Sequence, residues 1–110
     1  MTAYVISEVE IRDPAAVAQY KPLASAAALH FGGEYLARDA IPEALEGTFE
    51  PGQRLVIIRF PDAGAARAWY ASPQYAEALR AANGALDRRL FIVDGTLAAA
   101  HPAAAPRERA

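Results

Sequence analysis

No cysteine occurs in the 110 residues, and that absence removes disulfide staples, thiolate nucleophiles and thiolate metal sites at once. It suits a reducing compartment, so a cytoplasmic protein is expected. Histidine is nearly as scarce, with only His30 and His101, and His101 falls in an Ala/Pro-rich tail. No histidine pair stands at metal-ligand spacing, and no Ser-His-Asp set can be assembled around Ser7, Ser25 or Ser72. Neither a metal nor a cofactor is expected. Basic runs interleaved with aromatics are missing and the formal net charge is −2, so nucleic acid is not an expected partner. Long apolar runs are missing as well. The chain passes straight into Ala3-Tyr4-Val5-Ile6 without a basic leader, so no membrane span is expected. Gly32-Gly33 lacks the rest of a phosphate-loop pattern.

What is present centres on Arg54 to Arg80, RLVIIRFPDAGAARAWYASPQYAEALR. Leu55, Val56, Ile57 and Ile58 are consecutive and apolar, so both sides of this strand need cover. Phe60-Pro61-Asp62 ends it: Pro61 cannot donate to a ladder, and Asp62 can cap a helix. The helix that follows breaks at Ala71-Ser72-Pro73, because a residue before proline resists the α region while Ser72 and Pro73 suit a fresh start. Trp69, Tyr70 and Tyr75 crowd that break. They are either aromatic core over a sheet or a place where Tyr70 or Tyr75 points a hydroxyl into a pocket.

Upstream, Tyr4 to Arg12 alternates, with Val5, Ser7, Val9 and Ile11 on one side and Tyr4, Ile6, Glu8 and Glu10 on the other. Asp13-Pro14 starts a helix whose stripe of Val17, Tyr20, Ala24, Ala27 and Phe31 ends at Gly32-Gly33. Pro22 lies inside it and predicts a kink or break near Tyr20 and Lys21. Glu34 to Asp39 reads as a second strand with Tyr35 and Ala37 on one side and Leu36 and Arg38 on the other. Ala40 to Gln53 reads as a loop, Asn83-Gly84 closes the broken helix, and Arg89 to Asp94 is the last strand. The folded domain is placed at residues 1–95, with a disordered tail over 96–110.

Strand, helix, strand, loop, strand, helix, strand is the order of an α+β, ferredoxin-like βαββαβ fold with its helices on one face of an antiparallel sheet. The other face would then be a large apolar patch. A homodimer that presses two such faces together into an α+β barrel is the expected remedy.

Gly32-Gly33-Glu34-Tyr35-Leu36-Ala37-Arg38, Leu45-Glu46-Gly47, Arg54 to Ile58, Phe60-Pro61, Ala68-Trp69-Tyr70, Ser72-Pro73-Gln74-Tyr75 and Val93-Asp94-Gly95 together resemble the domain-of-unknown-function family 1330 of the dimeric α+β-barrel superfamily. The resemblance implies a βαββαβ protomer whose sheet pairs with its twin's. Its wider superfamily includes cofactor-free monooxygenases acting on phenols, lactone isomerases, haem-dependent chlorite-degrading enzymes and stress-induced barrels, and the fold does not choose among them. After Arg38 the family commonly continues with glycines, whereas this chain has Asp39-Ala40; the position of Arg59 is often a glutamate there.

The chemistry is sought in two places. If Tyr4 lies near Phe60 and Glu10 near Arg54, then Glu8, Glu10 and Arg54 share a surface with Ile6, Val56 and Ile58, and Arg38 can join them. That cluster is either a structural salt bridge at the dimer seam or an anion grip, with Glu46, Glu8 or a tyrosine moving a proton. A pocket between helices and sheet is expected to be lined by Tyr20, Trp69, Tyr70 and Tyr75, with Arg38, Glu46 and Arg54 near its rim. His30, at the end of the first helix, is expected as a surface or capping histidine, the alternative being a general base. The function expected is binding, or cofactor-free conversion, of a small aromatic or carboxylate metabolite; the alternative is a non-catalytic binding or stress module.

Overall fold

Asp13 shows how closely local chemistry sets the first helix. Its carboxylate accepts from the amides of Ala15 at 3.1 Å and Ala16 at 3.4 Å, and Pro14 follows where a missing amide costs nothing. The computed structural model describes residues 2–95 of the chain, and the expected tail over 96–110 lies outside the described residues. Within them run β1 (Ala3–Ile11), α1 (Pro14–His30), β2 (Glu34–Ala40), β3 (Gln53–Phe60), α2 (Ala63–Ala71), α3 (Pro73–Ala82) and β4 (Leu86–Asp94). The strands form one antiparallel sheet in the order β2-β3-β1-β4, the ferredoxin-like arrangement.

The broken helix is built as its residues dictate. Asp62 caps α2 by accepting from the Ala65 amide at 2.7 Å. Ser72 both closes α2 and opens α3, donating to the Trp69 carbonyl at 2.7 Å and accepting from the Tyr75 amide at 3.1 Å. Asn83, left-handed at φ 50°, ends α3. At the end of α1, Gly33 has a different reason: a Cβ there would stand 2.7 Å from the Phe60 ring and 2.9 Å from the Ala28 carbonyl. Only glycine lets the turn lie against the sheet.

Val5, Ile58 and Phe60 from the sheet meet Tyr20, Ala24, Ala27, Ala28, Ala66, Trp69, Tyr75, Ala78 and Ala82 from the helices in one core. The alanines of α1 and α3 let the two helices approach closely, and the bulk comes from Trp69, Tyr75 and Phe60.

Four expectations are corrected. The break expected near Tyr20 and Lys21 is absent, and α1 runs as one helix through Pro22. The stripe of Val17, Tyr20, Ala24 and Ala27 stays buried across it, and Arg38 braces the same turn by donating to the Lys21 carbonyl at 3.1 Å and to the Ser25 hydroxyl. β4 begins at Leu86, three residues early, because Asp87-Arg88-Arg89 is paired strand: Arg12 holds Asp87 at 2.6 Å and Arg89 holds Glu8 at 3.1 Å. β2 does not keep one alternation. Its register against β3 shifts between Tyr35 and Ala37 and again between Ala37 and Ala40, so Arg38 returns to the side of Tyr35, with its guanidinium 4.2 Å from that ring's centre. Finally, Tyr4 pairs with Arg59 and Glu10 with Gln53, one residue from the expected register.

A one-residue slip exchanges faces. Arg54, Val56 and Ile58 therefore share the helix side with Val9, Ser7 and Val5, and the expected Glu8, Glu10 and Arg54 cluster does not form. The open side carries Tyr4, Ile6, Glu8 and Glu10 beside Leu55, Ile57, Arg59, Phe91 and Val93. Phe91 is 47% and Val93 44% exposed there. Asp39 sits in β2 with φ 53°, a conformation that glycine adopts without strain and aspartate tolerates better than most residues. Its carboxylate is paired with Lys21.

Candidate functional site

Between the helices and the sheet lies a cavity of about 40 Å³. Alternation brings Val5, Ser7, Val9, Val56, Ile58, Leu86, Arg88 and Leu90 to its floor. Tyr20 and Lys21 of α1, Tyr35, Arg38 and Asp39 of the bulged strand, and Trp69 and Tyr75 at the helix break complete the wall. Most of that lining is apolar. Its polar part is concentrated in one network.

The hydroxyls of Tyr20 and Tyr75 lie 2.7 Å apart and are buried. Arg88 donates to both, from Nη1 to Tyr20 at 3.2 Å and from Nη2 to Tyr75 at 2.6 Å. The Tyr75 ring also stands 4.3 Å from that of Trp69. Burial, then the neighbouring Tyr20, pushes the Tyr75 phenol well above its ordinary value, against the pull of Arg88. Burial likewise pushes Tyr35 up to about 12, although Arg38 works the other way. For Arg88, burial acts to lower the value, but attraction to Tyr75 and Tyr20 and the bonds to them outweigh it, and the net direction is up. At neutral pH both raised phenols hold their protons and Arg88 is a cation.

Two further polar groups of the lining residues have no partner among the described residues. The Ser7 hydroxyl and the Trp69 indole N–H are both cut off from solvent, and the residues are 4% and 1% exposed. Native proteins rarely leave such groups unmade, since each costs about 1–3 kcal/mol.

Of the residues singled out from sequence, Tyr20, Trp69, Tyr75 and Arg38 meet around this cavity. Arg54 does not line it. It lies in an adjoining outer groove with Pro14, Ala18 and Gly52, and that groove shares Ile11, Val17 and Lys21 with the cavity wall. Tyr70 is 52% exposed, on a shallow surface depression beside Ala66, Arg67 and Ile92. Glu46 stands exposed in the 41–52 loop, away from the cavity. His30 is exposed at the end of α1, edge-on to Phe31.

Sequence reasoning missed Arg88, Tyr35 and Ser7. Arg88 was lost when β4 was started at Arg89; the alternation Leu86-x-Arg88-x-Leu90 was the signal that puts it indoors. Among the described residues, no group of three His, Cys, Asp or Glu side chains is placed to hold a metal ion, and no helix is long and apolar enough to cross a membrane.

Solved structures share this architecture. A protein of unknown function from Rhodopseudomonas palustris is 19% identical, with a TM-score of 0.69 over 84% of this chain and 81% of its own. A dimeric ferredoxin-like protein of unknown function from Thermobifida fusca is 20% identical, with a TM-score of 0.59 over 86% of this chain and 91% of its own. Another, described as an antibiotic biosynthesis monooxygenase, is 17% identical, with a TM-score of 0.51 over 84% of this chain and 96% of its own. At such identities the likeness shows the fold alone. No curated protein matches the chain. The family described as a domain of unknown function (DUF1330) matches residues 2–96, which takes in every strand and helix described above, and the chain belongs to that family.

Proposed function

We propose that the protein is a self-associating small-molecule binder whose ligand occupies the cavity between helices and sheet. The observation that carries this reading is a largely apolar cavity whose polar part is the Arg88 guanidinium with the tyrosine pair, while the Ser7 hydroxyl and the Trp69 N–H of two further lining residues are unpartnered among the described residues. A filled structural core has no use for unpartnered donors, whereas a ligand site does.

Binding is favoured over proton-abstraction chemistry by the state of the side chains. Tyr35 and Tyr75 keep their protons, and Asp39, the lone carboxylate of the described lining, is held by Lys21. No histidine of the described residues lines the space, so a general base is wanting there. The expected proton transfer through Glu46 or Glu8 also lacks geometry, since neither lines the cavity.

Self-association rests on the open face, where Tyr4, Ile6, Leu55, Ile57, Phe91 and Val93 form an apolar field that a second copy would cover, and the dimeric Thermobifida relative supports it. Thermal unfolding of the whole chain against a panel of short acids and phenols tests the ligand reading. A rise in Tm with at least one compound class is expected, and no rise with any of them would mark the cavity as ordinary core.

A further inference from the structure

The ligand's charge and size can be read from what the cavity leaves unpaired. Three cations, Lys21, Arg38 and Arg88, and one carboxylate, Asp39, line it, and Lys21 takes the carboxylate. No carboxylate of the described residues lies within ion-pair distance of Arg38 or Arg88. Arg38 spends its bonds on the Lys21 carbonyl and the Ser25 hydroxyl, and Arg88 on two neutral phenols. Both charges therefore sit half-buried without a counter-charge, an arrangement that favours an anion drawn in from outside.

The hydroxyl protons point the same way. Each tyrosine oxygen of the pair accepts from Arg88, and one O–H hydrogen lies between the two oxygens. The second has no acceptor among the described residues. The Ser7 O–H and the Trp69 N–H, donors of two lining residues, are likewise without a partner among the described residues. A ligand with donors of its own would leave them unmade, whereas a carboxylate brings two oxygens with about four acceptor sites.

Size decides between a ring and a short chain. A buried water needs roughly 10–15 Å³ of such space, so a cavity of about 40 Å³ has room for a handful of heavy atoms and not for a benzene ring. We infer that the cavity is a site for a monocarboxylate of two or three carbons, its carboxylate held by Arg88 and the Tyr20–Tyr75 pair and its carbon end against Val5, Val56 and Ile58. This inference rests on the ligand-binding reading above and adds the charge, the size and the anchor. The outer groove with Arg54 shares Ile11, Val17 and Lys21 with the cavity wall.

The sequence has one tryptophan, so the Trp69 indole N–H gives a single resonance in the ¹⁵N-labelled full-length protein. Titration at constant ionic strength compares propionate with propionamide, which has the same heavy-atom shape but no charge, and with benzoate and phenol. Propionate is expected to move the indole signal saturably, propionamide to bind at least about tenfold more weakly, and benzoate to do no better than propionamide. Arg88→Gln abolishes the propionate response. If that variant does not fold, Tyr75→Phe, which keeps the guanidinium and removes one hydroxyl, weakens the response several-fold. Propionamide matching propionate, benzoate binding more tightly, or an undiminished response in both variants overturns this inference while the ligand reading stands. Silence of the indole signal toward every probe, phenol included, overturns both.

Discussion

The two faces of the sheet differ in what they lack. On the helix side apolar packing is nearly complete, and the unmet need is for hydrogen-bond acceptors: Arg88, Ser7, Trp69 and one tyrosine proton want an oxygen. On the open side Glu8 pairs with Arg89 and Glu34 with Arg59, and the unmet need is cover for Ile6, Leu55, Ile57, Phe91 and Val93. One face calls for a small anion and the other for a large apolar surface. The contrast teaches that a single layer can carry two separate binding demands, because alternate residues along a strand answer to different surroundings.

That separation can be broken by mutation. Trp69→Ala acts on the closed side, where the ring is buried against Phe60 and Tyr75, and is expected to cost about 3–5 kcal/mol in chemical denaturation. Any dimer should persist in the fraction still folded. Ile57→Asp acts on the open side. It should weaken self-association by about a hundredfold, roughly 3 kcal/mol, by sedimentation, and leave the response of the Trp69 signal to ligand unchanged; a monomer in the parent protein at micromolar concentration would remove the open-face half of the comparison. Ser72→Ala removes the cap between α2 and α3 and should cost about 1 kcal/mol.

A last prediction acts on the helix side alone, through pH. Tyr35 has a folded value of about 12 against an unfolded value near 10, so the stability it supplies is fully present below pH 10 and is lost as pH rises through 12. Tyr75 acts in the same direction. Denaturation midpoints should therefore fall above pH 10, and Tyr35→Phe should make that fall shallower. A variant as steep as the parent would show that burial of this phenol is not linked to folding.

Much of this was legible in the sequence because caps and breaks are local. Asp13-Pro14, Asp62 and Ser72-Pro73 name their own positions, and the alternation of β1 gave both of its faces correctly. The site was harder to read. Three of its residues stand out as aromatics, Trp69 and Tyr75 at the helix break and Tyr20 on the buried stripe of α1, but Arg38 reaches the cavity only through a bulge, and register is a property of two strands at once. A one-residue difference in pairing puts Arg54 on the other face, and a three-residue difference in the start of β4 hides Arg88, which bonds both hydroxyls of the tyrosine pair. Pro22 misled for a related reason, since packing and the Arg38 brace outweigh a lost amide.

The most direct test of the central claim is a crystal structure of the protein grown in propionate. A carboxylate is expected in the cavity, with its oxygens within hydrogen-bond reach of Arg88 and of the Tyr20–Tyr75 pair. A cavity that holds only water, or that has closed over with Ser7 and Trp69 still unpartnered, would contradict it.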